Sequence, residues 1–381
     1  MKNDIILNVS NLVVSFNTEN GRVRAVDGVG FKLRKATTLG IVGESGCGKS
    51  VTALSIMGLL PKPSGQIEYG TIEFKGQDLV SLMGKSTLQG KSDVRIGAAL
   101  LGKPNIKASQ AFGLKSDEII SQGESGKLYD MQKIRGRQIS MIFQEPMTAL
   151  NPVQKIGVQM NEVYQLHFPQ MRRRDMDNAS ISMLAQVGIA TPDKVIRQYP
   201  HELSGGMRQR VMIAMALSSK PDILIADEPT TALDVTVQAQ ILDMVNELQT
   251  KLAMSVILIT HDLGVIAENC DDAVVMYGGR VAERAGVAEL FSDPLHPYTQ
   301  GLLKSIPGLS RAPRSILPTI KGQVPSLEKM PSGCRFSNRC DHVMEICRSV
   351  VPFEIEPVKG HFVACHKYSI TPRSDIFKSH Y

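Results

Sequence analysis

No apolar run in this 381-residue chain approaches the roughly 18 residues that a membrane-spanning helix requires. The polar start Met1-Lys2-Asn3-Asp4 leads into no signal-peptide hydrophobic stretch, so the sequence predicts a protein that stays in the cytosol and does not itself cross a membrane. Blocks of five or more basic residues are also absent. Arg172-Arg173-Arg174 is the densest cluster and the net charge of +6 is mild for this length, which points to solvated faces rather than a nucleic-acid patch. Cysteine pairs of the usual C-x2-C zinc type are missing too. Cys47 and Cys270 are scattered, whereas Cys334, Cys340, Cys347 and Cys365 all fall within the last fifty residues. In a reducing cytosol such a cluster points to a metal before it points to disulfides. What remains is an ordinary globular composition, 43% hydrophobic and 21% charged, long enough for about two to three domains.

Against that background one motif stands out. Gly43-Glu44-Ser45-Gly46-Cys47-Gly48-Lys49-Ser50 matches G-x-x-x-x-G-K-[ST], and it lies between the apolar Leu39-Gly40-Ile41-Val42 and a helix-like segment from Val51 to Leu60. A strand, a tight loop and a helix start are the context this motif needs. The glycines let backbone N–H groups turn toward phosphates, and the helix N-terminus adds partial positive charge. Lys49 reaches the β/γ-phosphates and the Ser50 hydroxyl can ligate Mg²⁺. The chain is therefore expected to bind a nucleoside triphosphate.

The second half of the machinery is expected near residue 227. Ile223-Leu224-Ile225-Ala226 reads as a fully buried strand ending in Asp227, with Glu228 immediately after it. Asp227 at the carboxyl end of such a strand can hold the Mg²⁺ that Ser50 also touches, and Glu228 can polarise the water that attacks the γ-phosphate. Upstream, Leu203-Ser204-Gly205-Gly206-Met207 leads into a helix from Arg208 to about Ser219. Ser204 is a good N-cap type and Gly205 and Gly206 expose backbone N–H groups beside a positive helix end, so a second phosphate can dock there. If one monomer cannot bring both ends to one phosphate, a head-to-tail dimer is the simplest arrangement.

With these motifs the sequence resembles the ATP-binding cassette (ABC) family. The quintet at 203–207 is similar to that family's signature motif, with Met207 where glutamine is most usual. The resemblance implies that Phe16 stacks on adenine and that Gln144 contacts Mg²⁺ and senses a membrane partner. It further implies that Asp234, in Thr231-Ala232-Leu233-Asp234, belongs to the D-loop and that His261 is the switch histidine. His261 follows the apolar Val256-Ile257-Leu258-Ile259, where an imidazole can hydrogen-bond the γ-phosphate. The stretch Met141 to Pro152, the run His296-Pro297-Tyr298-Thr299 and the cysteine-bearing tail resemble the ATPase subunits of bacterial dipeptide and oligopeptide importers, over about residues 5–82 and 127–368. That resemblance implies ATP and Mg²⁺ as ligands and a second, nonidentical ABC ATPase as heterodimer partner. It also implies two membrane permeases that supply all membrane contact, a periplasmic solute-binding protein, and a peripheral position on the cytoplasmic face of the inner membrane. Glutathione, nickel or haem are alternative cargoes. A DNA-repair or chromosome-organising ABC ATPase would need a long coiled-coil insertion, and a nonhydrolytic cassette would lack Glu228 or His261.

The implied fold is α/β: a P-loop NTPase cassette at 1–305 with a parallel core sheet, an antiparallel β subdomain and a helical subdomain at about 155–220. A small Cys-rich lobe follows at 306–381. Short strands at Ile5-Ile6-Leu7, Leu12-Val13-Val14 and Ile72-Glu73-Phe74 are expected in the antiparallel sheet, and Val235 to Leu252 as a crossover helix. Residues 84–126, rich in glycine and lysine, read as a surface excursion with one short helix around Asp117 to Ser121. Pro307, Pro313, Pro318, Pro325 and Pro331 mark a linker. The spacing C-x5-C-x6-C-x17-C fits neither common zinc nor ferredoxin runs, leaving metal binding and free packed thiols both open. The family resemblance favours a [4Fe-4S] cluster on these four cysteines, with zinc, helped by His342, His361 or His366, as the alternative.

Overall fold

The computed structural model describes residues 4–19, 21–86, 128–144, 149–230, 234–306 and 319–369. Most of the 84–126 excursion, its expected helix, and the prolines Pro307, Pro313 and Pro318 lie outside the described residues. The chain divides into two compact units, one of Met1–Ser55, Lys62–Gly76 and Ile257–Tyr381, the other of Ile56–Pro61 and Gln77–Val256.

In the first unit Ile5–Thr18 is one long strand where two short ones were expected, because a register shift between Val9 and Leu12 absorbs the break in alternation. It pairs antiparallel with Gly21–Arg34 on one side and Gly65–Phe74 on the other. Leu7, Val9, Leu12 and Val14 turn inward from it. A second sheet is built on Thr38–Val42, buried at every position as an apolar run between two covering layers must be. This strand runs parallel to Asp272–Tyr277, which pairs antiparallel with Arg280–Gly286. The tail then contributes His361–Val363 against Arg280–Gly286, followed outward by Ile355–Val358.

The tail is also packed into this unit's core. Phe336, 4% exposed, joins Tyr277, Tyr298, Val42, Val275, Leu290 and neighbouring apolar residues in one cluster. Its ring lies 5.2 Å from Tyr277 and 5.4 Å from Tyr298, and the two tyrosine rings are 4.7 Å apart. Aromatic pairs of this kind contribute about 0.5–1.5 kcal/mol each beyond area burial. A tail read from its prolines as a linker and a lobe is thus tied to the sheet by rings and strands that proline spacing does not reveal.

The second unit holds two parallel strands, Ile139–Ile142 and Ile223–Asp227, buried throughout. Helices follow at Ile156–His167, Arg173–Gln186 and Gly205–Leu217, which present Met160, Met183, Leu184, Val211 and Ile213 to their own core. The helix Val235–Leu252 has the expected bounds. Asp234 caps its start by accepting from the Val237 N–H at 3.0 Å, and it buries Ile241, Leu242, Val245 and Leu248 along one stripe. The helix after the glycine loop is Lys49–Met57 and stops short of Leu60, because Gly58 takes up φ +63. Arg135 donates from Nε to the Met57 carbonyl at 2.7 Å, satisfying an acceptor at that helix end.

Candidate functional site

The glycine loop leaves the buried strand Thr38–Val42 and turns straight into the helix at Lys49. Two of its glycines are demanded by close approach. A Cβ on Gly43 would run into the Met276 carbonyl oxygen, and one on Gly48, at φ +97, would lie 2.6 Å from the Ala25 oxygen. Ser45 and Gly46 at the loop's crown are exposed, whereas Cys47, Gly48 and Lys49 are buried. Lys49, 5% exposed, donates from Nζ to the carbonyls of Gly43 at 2.7 Å and Glu44 at 3.3 Å. The loop therefore curls around its own ammonium, the cation a phosphate would meet. Cys47 is a packed side chain whose thiol burial pushes up, so it stays protonated. Ser50 is half-buried at the first turn of the helix.

Glu44 is held from two directions that the sequence did not signal. Its backbone N–H donates to the Tyr298 hydroxyl at 2.9 Å. Its carboxylate receives both guanidinium arms of Arg339, at 2.6 and 3.1 Å. Tyr298 lies in the His296-Pro297-Tyr298-Thr299 run, noticed only as a family marker. Arg339 lies in the tail, beside one of the cysteines that drew attention away from it. Phe16 and His261 belong to the same unit as the loop. Phe16 is half-buried near the end of its long strand, opposite Val23 and Gly65. His261 is exposed directly after the buried strand Ser255–Thr260.

The other predicted residues lie in the second unit. Asp227, 4% exposed, ends the buried strand Ile223–Asp227 as expected. Glu228 follows at φ +46, a conformation that costs a non-glycine residue of order 1 kcal/mol or more. This turn brings its carboxylate to Gln144, whose Nε2 donates to it at 3.1 Å. Gln144, singled out by family resemblance, and Glu228, singled out by its place at a strand end, are therefore hydrogen-bonded to each other. Ser204 caps the helix Gly205–Leu217 by accepting from the Met207 N–H at 3.3 Å, and Ser204 and Gly205 stand exposed at that open end. Gln209, buried in the same helix, donates to the Pro229 carbonyl, which ties the helix to the turn that carries Glu228. Asp234 is exposed, next to Val235 at 82% exposure.

The tail cysteines form a separate set of candidate residues. Cys334, Cys340, Cys347 and Cys365 do gather in one region, and all are free thiols. Among the described residues, however, no three His, Cys, Asp or Glu side chains are arranged to hold a metal ion. Burial pushes the Cys334 and Cys365 thiols up to about 11 and raises Cys340. Cys334 and Cys340 pack on the apolar cluster around Phe336. Two of the three histidines of the zinc alternative are engaged elsewhere: His361 lies 2.7 Å from the Glu283 carboxylate and His366 reaches the Val350 carbonyl at 2.9 Å. An iron–sulfur cluster or zinc on these residues finds no support in this arrangement, and no chemistry is routed through them.

Comparison with known proteins fits this geometry. The ABC transporter family model matches residues 26–101 and 83–231, and the model for the C-terminal region of oligopeptide/dipeptide transporters matches residues 282–347. The dipeptide transport ATP-binding protein DppD of Bacillus subtilis is 46% identical over 360 residues, 94% of each chain. The oligopeptide transport ATP-binding protein OppD of Escherichia coli is 43% identical, covering 96% of this chain and 94% of its own. Among solved structures, the ATP-binding cassette MJ0796, dimeric and bound to ADP and Pi, aligns with a TM-score of 0.55 at 21% identity over 74% of this chain and 98% of its own. The cassette cbiO1 of Clostridium perfringens aligns at 0.54 and 22% identity over 76% and 92%. Those two likenesses speak for the fold.

Proposed function

We propose a mechanism that proceeds from one premise: this chain belongs to the ABC transporter family and is the ATP-hydrolysing subunit of a dipeptide/oligopeptide importer. The loop Gly43 to Ser50 cradles the triphosphate, with Lys49 exchanging its loop carbonyls for phosphate oxygens and Phe16 stacking on the adenine. Ser50, Asp227 and Gln144 offer hard oxygen donors of the kind Mg²⁺ takes, with the Asp227 carboxylate buried at a strand end. Held there, Mg²⁺ would supply electrostatic stabilisation of the negative charge that develops during phosphoryl transfer. Glu228 orients and polarises the attacking water, and His261 contacts the γ-phosphate.

Ser204, Gly205 and Gly206 belong to the nucleotide on a second cassette, in a head-to-tail pair with a nonidentical ATPase in which Asp234 lies at the shared face. Support for this comes from the exposure of that helix start, which is capped and glycine-lined and carries no covering side chain at Gly205. Closure on ATP and reopening after hydrolysis would drive two permeases at the inner membrane, with a solute-binding protein delivering the peptide. Residues 1–305 would form the cassette and 306–381 its appended tail. Among the described residues no helix is long and apolar enough to cross a membrane.

The observation that carries the hydrolytic role is the bond from Gln144 to Glu228 at the strained turn after Asp227. Glu228→Gln keeps the side chain's shape but removes its charge and basicity. The variant should retain ATP binding, trap the closed dimer, and lose about two to four orders of magnitude in ATP turnover. Near-normal hydrolysis by Glu228→Gln in the assembled transporter would show that another group activates the water.

A further inference from the structure

A carboxylate in the middle of a phosphate-binding loop is an electrostatic problem. Glu44 sits between the loop glycines Gly43 and Gly46, and a bound triphosphate brings several negative charges to that loop. The answer lies 295 positions further along the chain. Arg339 clamps the Glu44 carboxylate in a fork, Nη1 to Oε2 at 2.6 Å and Nη2 to Oε1 at 3.1 Å. Its side chain is 6% exposed against 28% for Glu44, so the guanidinium is the buried partner. The remaining arm is fixed as well, Nε donating to the Lys321 carbonyl at 3.0 Å. The guanidinium carbon stands 5.8 Å from the Tyr277 ring centroid, and Nη1 is 3.4 Å from the Tyr277 hydroxyl. Tyr277 in turn packs against Tyr298, whose hydroxyl takes the Glu44 N–H. Tail, ring cluster and loop thus form one connected set of contacts within the first unit.

We propose that Arg339 is a positioning residue of the nucleotide site: by neutralising and orienting the Glu44 carboxylate, while Tyr298 holds the Glu44 backbone, the C-terminal tail sets the phosphate loop's shape and charge and so tunes affinity for ATP. A bidentate guanidinium–carboxylate pair supplies geometry as well as charge, which lysine cannot reproduce. Without Arg339, Glu44 would be left as an unpaired carboxylate facing the phosphates. Without the Glu44 charge, Arg339 would present an uncompensated cation to them. The two deletions should therefore act with opposite sign, which a purely structural contact would not do. This inference rests on the reading that the loop binds ATP.

The test is nucleotide titration of the purified full-length chain, with KM and kcat measured on the assembled transporter. Arg339→Met should weaken ATP binding about tenfold and ADP binding less, and raise KM while leaving kcat within about twofold. Glu44→Gln should bind ATP about two- to threefold more tightly than the native chain, and adding it to Arg339→Met should recover most of the loss. If thermal melting shows Arg339→Met unfolded, Arg339→Lys is read in its place, with a loss of about threefold expected. Native-like affinity in the folded Arg339 variant, or a double variant as weak as Arg339→Met, would overturn the proposal. Lys49→Ala in the same titration separates the two readings. If the native chain itself fails to bind ATP, or binds it as well without Lys49, the phosphate-loop reading fails and the proposal falls with it; a Lys49-dependent affinity that the folded Arg339 variant leaves unchanged overturns the role of Arg339 alone.

Discussion

Single side chains in this protein often have two neighbours to satisfy, and at His296 that double duty makes stability depend on pH. The residue is buried, its Nδ1 accepts the Tyr298 N–H at 3.0 Å to cap the helix Pro297–Lys304, and its own backbone N–H donates to the Glu283 carboxylate at 2.9 Å. Burial drives the imidazole down to about 4, although Glu283 pulls the other way. A nitrogen that accepts a hydrogen bond carries no proton, so the geometry and the direction of the shift agree. As pH falls below about 6.5 the unfolded chain takes up a proton at this residue, whereas the folded chain refuses it until about 4. His296 therefore contributes its full stabilisation above about 6.5 and loses of order 3 kcal/mol as pH falls from there to about 4. Urea midpoints taken between pH 7 and 4.5 should drop, and His296→Asn, which keeps an oxygen for the cap and has no proton to gain, should flatten the drop. An unchanged slope in that variant would assign the acid sensitivity to other groups. From the sequence, His296 was legible only as part of a family-like run. Nothing in His296-Pro297-Tyr298-Thr299 shows that a carboxylate from Arg280–Gly286 lies beneath it.

At the scale of elements, most of the site was legible because its signals are local. A buried apolar run, a glycine turn and a helix start stand side by side in sequence at 39–57, a serine-capped glycine helix start stands at 204–217, and strand ends place Asp227 and His261 without any long-range information. The cap at Asp234 is a similar case, and it makes a sharp prediction. Its carboxylate accepts the Val237 N–H, so Asp234→Ala should destabilise the chain by about 1 kcal/mol, while Asp234→Asn, still an N-cap, should cost only a few tenths. Chemical denaturation distinguishes the two. Transport ATPase activity lost equally in both variants would then belong to Asp234's place in the paired cassettes and not to the helix. What was not legible is pairing over distance. The bond from Gln144 to Glu228 spans 84 positions, and the pair of Arg339 with Glu44 spans 295. The tail cysteines are a related case: their spacing is local, but whether four thiols converge as ligands depends on backbone turns that spacing does not encode.

For the molecule as a whole, the tail is the part whose behaviour departs furthest from its composition. Proline-marked and poor in apolar runs, it reads as an attachment, yet Phe336 is buried among Tyr277 and Tyr298, and His361–Val363 covers the outer edge of Arg280–Gly286. His361 also closes on Glu283, a carboxylate with no exposed surface that serves the backbone N–H groups of Leu295 and His296. Cutting the chain after Ser305 would remove Phe336 and His361 together. It would open the ring cluster to water, leave the strand Arg280–Gly286 with an unpaired edge, and strip Glu283 of its side-chain partner. Such a truncated chain should be recovered mainly as aggregate. The milder Phe336→Ala should fold but lose about 3–5 kcal/mol, read as a lowered urea midpoint. If the truncated chain instead remains soluble and melts where the native chain does, the tail is an independent lobe after all. The coupling between Arg339 and the phosphate loop would then have to work across a contact that the cassette does not need for its own stability.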